Sequence, residues 1–168
     1  MLTKNDISVA DWNTLRNTQY LVGLATMMAD ASGLGTIKES IALAQSIMES
    51  QSSNVPLIRD LTNKSEIEAA QGGLRQLMGG AQAKPTKETV RQLALQQVRS
   101  SLSILNGLDS PETTDGYRKH IYAVAEKVAN AASEGGILGF GGTRVSSGEQ
   151  SFLDELRSAL QLERVSKA

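Results

Sequence analysis

The chain contains no cysteine. Disulfides, thiolate zinc sites, iron–sulfur clusters and thiol nucleophiles are therefore excluded. A reducing compartment fits that lack without being required by it. There is one histidine, His120, so no site within one chain draws on two imidazoles. Di-iron bundles and HExxH zinc sites are thereby ruled out. Aromatic residues are 4% of the chain, too few for a stacking platform on single-stranded bases. Lys plus Arg number 17 and Asp plus Glu 18, a net charge of −1. Without a basic excess there is no field to grip nucleic acid by its phosphates. No run approaches the roughly 18 apolar residues of a membrane span. The first ten residues carry Lys4, Asn5 and Asp6 where a signal peptide has an apolar core. The expectation is a soluble cytoplasmic protein with no transmembrane segment and no nucleic-acid partner.

What is present is helical. The 168 residues are enough for one domain with one core, and the whole chain, 1–168, reads as that domain. Ser8 with Asp11 starts a short helix through Trp12 and Leu15. Thr18 can cap a second, which carries Tyr20, Leu24, Met27, Met28 and Ala31 at helical spacing. The glycines of Ser32-Gly33-Leu34-Gly35 end it. Thr36 opens the next helix, with Glu39 behind it and an apolar stripe of Ile37, Ile41, Ala44 and Met48. Pro56 suits the first turn of a short helix to Leu61. Ser65 and Glu68 form a capping box for a helix weakened by Gly72-Gly73, where a kink or a close helix contact is expected. Gly79 to Pro85 reads as a linker.

Thr86 or Lys87 begins a long helix with Val90, Leu93, Ala94, Val98, Leu102 and Leu105 on one face. Ser110-Pro111-Glu112 starts another, through Tyr117, Ile121, Val124, Val128 and Ala132, with Gly116 allowing a later start at Asp115. These two are expected to form the antiparallel axis of a bundle. Ser146 with Glu149 is a further capping box before Phe152, Leu153, Leu156 and Leu160. No segment alternates with period two. The fold class is all-α: about seven helices, four of them long.

Two segments echo each other. Each runs from an apolar helix through small residues and an acid to a glycine turn, then into a capped helix with an acid in its first turn. One contains Asp30 and Glu39, the other Glu134 and Glu149. Two ordinary helical hairpins or an internal duplication both account for this. The residues Glu134-Gly135 and Val145-Ser146-Ser147-Gly148-Glu149-Gln150-Ser151-Phe152-Leu153 resemble the tellurite-resistance TerB family of small all-helical bacterial proteins. The likeness covers the two hairpins. It departs from the family in the insertion Gly136 to Gly142 and in the separation of Asp30 from its glycine. It implies a non-enzymatic cytoplasmic binding protein in metal, tellurite or envelope stress.

Candidate chemistry is sparse. Asp30, Glu39, Glu134 and Glu149, if brought together, offer oxygen ligands suited to Ca²⁺, Mg²⁺ or Mn²⁺. The plainer reading makes Glu39 and Glu149 capping acids and the other two solvated helix-end residues. The glycine loop 135–142 precedes a helix start, as anion cradles do, but lacks the Lys-Ser/Thr of a P-loop and any preceding strand. Its apolar residues Ile137, Leu138 and Phe140 are either packed on the bundle or a contact tip for a partner. His120, beside the Tyr117–Ile121–Val124 stripe, reads as a boundary residue with no catalytic part. An alternative to the TerB-like reading is a bundle that self-associates through an apolar helix face or through the loop 135–142. No enzyme is expected.

Overall fold

The computed structural model describes residues 2–29, 36–80, 85–133 and 145–162. They form a 3-10 turn at Lys4–Asp6 and seven α-helices. These are α1 (Val9–Ala29), α2 (Thr36–Ser50), α3 (Pro56–Leu61), α4 (Lys64–Leu77), α5 (Lys87–Gly107), α6 (Pro111–Ser133) and α7 (Ser147–Ala159). Among the described residues there is no strand. The all-α bundle holds. Asp30, Glu134, Ile137, Leu138 and Phe140 lie outside the described residues.

The first 21 residues of helix are one element, not two. Thr18 caps nothing. Its hydroxyl donates to Thr14 O at 2.8 Å inside the helix. The helix continues through it because residues on every side of α1 are enclosed: Trp12, Leu15, Leu21, Val22, Ala25 and Ala29 all belong to the core. A helix enclosed on several sides is a central one, and α1 packs against α2, α4, α5, α6 and α7. It, rather than the α5–α6 pair, is the axis of the bundle.

Other helix starts follow local chemistry. Thr86 caps α5, accepting from Thr89 N at 3.2 Å. Ser146 and Glu149 make the reciprocal box at the head of α7. The box expected at Ser65 is absent: the cap lies two residues earlier, where Asn63 Oδ1 accepts from Glu66 N at 3.1 Å. Ser65 only donates to Asn63. Gly116 does not delay α6, which runs from Pro111. The glycine makes room instead, because a Cβ there would lie 2.7 Å from a methyl of Val55. The core of leucines, valines and alanines from α1, α5, α6 and α7 is completed by Tyr117 and Phe152, both fully enclosed. Tyr117 donates to Leu15 O at 2.9 Å, so its hydroxyl is satisfied there.

Candidate functional site

Two of the four candidate acids have a described environment. Glu39 and Glu149 are each 1% exposed and each lie in the first turn of a helix. Glu149 Oε2 accepts from Ser146 N at 2.8 Å, and Glu149 N donates to Ser146 Oγ at 3.2 Å. Glu149 Oε1 is buried with no hydrogen-bond partner among the described residues. Beside it, the head of α7 is pressed on the tail of α1: a Cβ on Gly148 would sit 2.3 Å from Ala29 O. Lys87, from the start of α5, donates to that same carbonyl at 2.6 Å. A lysine at a helix C-terminus satisfies an otherwise unpaired carbonyl and meets the negative end of the dipole. Among the described residues no three carboxylates or imidazoles gather as a metal ion needs.

Helix α2 turns part of its apolar stripe outward. The stripe of Ile41, Ala44 and Met48 does not face the core. Ile41 is 53% exposed and Met48 63%, with Ala44 exposed between them. The inward face is made of Glu39, Ala42, Ser46 and Ile47, and packs against α6 and α1. Lys38 and Glu49 stand exposed near the two ends of α2, on the flank beside that outer face. Glu49 pairs with Lys127 of α6 at 2.6 Å and its side chain is still 70% exposed.

Two buried polar clusters were not foreseen. His120 is enclosed rather than at a boundary. Its Nε2 lies 2.8 Å from Gln19 Oε1 and its Nδ1 3.3 Å from Ser50 Oγ. Burial lowers its pKa to about 4. At the other side of α1, Glu66 accepts from Lys4 Nζ at 2.5 Å and from Arg16 Nη1 at 3.1 Å. Burial pushes the Glu66 carboxyl up, but the hydrogen bonds from its basic neighbours outweigh this and hold it below its ordinary value. The Lys4 ammonium also lies 5.5 Å from the centre of the Trp12 ring.

No protein-family model, curated protein or solved structure matches this chain. Among the described residues, no helix is long and apolar enough to cross a membrane.

Proposed function

We propose that this protein works by association rather than by catalysis, and that its outer α2 face pairs with the same face of a second copy. The observation that carries this is the exposure of Ile41 and Met48 together on one helix. A helix with a second apolar face beyond the one used in its own bundle is suited to a partner. The second copy is favoured by charge. Lys38 lies at the positive end of α2 and Glu49 at the negative end, each the wrong sign for the helix dipole. Eleven residues make about three turns, so the two lie on nearly one strip. In an antiparallel pair related by a two-fold axis, each Lys38 meets the partner's Glu49 and the partner's negative helix end. Ala44, midway, lets the two backbones approach closely.

Analytical ultracentrifugation across a hundredfold range of concentration tests this. A concentration-dependent dimer is expected, reduced to monomer by Ile41→Lys with Met48→Lys at unchanged helicity. A parent chain that stays monomeric throughout ends the reading.

A second reading rests on Glu149. Its buried, unpartnered Oε1, close to the chain's exit from α1, supports the TerB-like expectation of an oxygen-ligated Ca²⁺, Mg²⁺ or Mn²⁺ site. A role in metal or envelope stress comes from that resemblance alone. Native mass spectrometry with each ion is the test. Retained metal that Glu149→Gln removes is expected; no adduct with any of the three sinks it.

A further inference from the structure

Methionine carries all of the sulfur in this chain, since there is no cysteine. Five methionines are present, and Met27, Met28, Met48 and Met78 are among the described residues. Met27, Met28 and Met78 are half-buried. Met28 packs against the core, and Met27 Sδ accepts from Ser40 Oγ at 3.5 Å. Met48 differs from all three. It is 63% exposed, in the last turn of α2, and it shares the outer apolar face with Ile41 and Ala44. We propose that Met48 is a modification site, oxidised to the sulfoxide by a peroxide, and that the sulfoxide releases the paired α2 faces. The second half rests on the pairing of two copies proposed for that face.

The reaction needs a free sulfur lone pair and room for the oxidant. The Met48 thioether attacks one oxygen of a hydroperoxide. The S–O bond forms as the O–O bond breaks. The transferred hydroxyl passes its proton to the departing oxygen, which leaves as an alcohol, or as water where hydrogen peroxide is the oxidant. Sulfur gives up two electrons and the peroxide takes them. Met27 has its sulfur engaged by a hydroxyl, and Met28 and Met78 are half covered, so Met48 reacts first. No thiolate in the chain competes for the oxidant.

The product is polar and chiral where a flexible apolar side chain stood. On an open surface that change costs little. Between two α2 helices it buries an S=O dipole against Ile41 and Ala44, whose side chains have no donor to offer. A two-fold axis makes each Met48 count twice. Oxidation and pairing therefore oppose each other. Pairing covers Met48, so the peroxide reacts with the free chain, and each oxidised chain is withdrawn from the dimer. At a total concentration ten times the dissociation constant, mass action leaves about one chain in five free, so oxidation there is expected about fivefold slower than in dilute protein.

The full chain is treated with hydrogen peroxide at protein concentrations below and above that constant. Peptide mass mapping follows the sulfoxide at each methionine, and analytical ultracentrifugation follows association. In dilute protein Met48 is expected to oxidise several times faster than Met27, Met28 or Met78. Its sulfoxide is expected to weaken the dimer at least about tenfold. Reduction by the two methionine sulfoxide reductases, one for each epimer, is expected to restore it. A dimer that survives complete conversion of Met48 overturns the inference and leaves the pairing standing. Earlier oxidation of Met27, Met28 or Met78 does the same. A parent chain that is monomeric at every concentration before peroxide is added ends the pairing, and the switch with it.

Discussion

His120 is the residue whose environment most alters its chemistry. Gln19 Nε2 donates to Leu61 O at 3.4 Å, which turns Oε1 toward the imidazole. Neutral His120 therefore carries its proton on Nε2. Burial takes its pKa from 6.5 to about 4. The unfolded chain binds a proton near pH 6.5, whereas the folded chain resists one until about pH 4. Stability is thus full above pH 6.5 and falls as pH drops between those values. Two and a half units correspond to about 3 kcal/mol at most. Urea unfolding at pH 7 and pH 5 is expected to show about 2 kcal/mol of that loss in the parent and a flatter profile in His120→Gln. Glu66 acts in a different window. Its lowered pKa contributes stability above its ordinary value of 4.5, lost only as pH falls further. An equal pH 7-to-5 slope in His120→Gln and in the parent contradicts the assignment.

At the scale of the helix, two helical glycines have opposite meanings. Gly72 lies in α4 with open space where a side-chain methyl would stand, whereas Gly148 in the first turn of α7 abuts Ala29 O. Gly72→Ala is expected to stabilise by about 0.5–1 kcal/mol through helix propensity. Gly148→Ala gains part of that and meets overpacking of about 1–3 kcal/mol, so it is expected to destabilise. Thermal melts of the two variants check the opposite signs. The same scale explains α2. Its residues supply two apolar faces, Ala42 with Ile47 and Ile41 with Ala44 and Met48. Helical periodicity identifies both but not which of them the bundle covers.

For the whole molecule, what was readable was what is local. The heads of α5, α6 and α7 follow from Thr86, Ser110-Pro111 and Ser146 with Glu149. The all-helical class follows from spacing alone. What depended on packing was not readable. Thr18 looks like a cap until its neighbours on every side turn out to be enclosed, and Ser65 until Asn63 takes the role. Glu66 looks like one more surface acid until Lys4 and Arg16 converge on it from the N-terminal side. Of the acid set, Glu149 makes the capping box with Ser146 and Glu39 is buried in the first turn of α2, while Asp30 and Glu134 lie outside the described residues. The close approach of Gly73 to the Asn17 side chain had one signal in the sequence, the paired glycines inside a helix.

The central position of α1 has a consequence in time. Of the helices packed on it, α5, α6 and α7 begin only at Lys87, Pro111 and Ser147. A ribosome makes α1 first and its surroundings last. After synthesis of α2 and α4, which cover part of it, the core-facing residues of α1 such as Leu21 and Val22 still await most of their partners. Closing these distant contacts makes folding slower than in a bundle of sequential hairpins. The nascent chain thus carries its most aggregation-prone helix uncovered for the longest time.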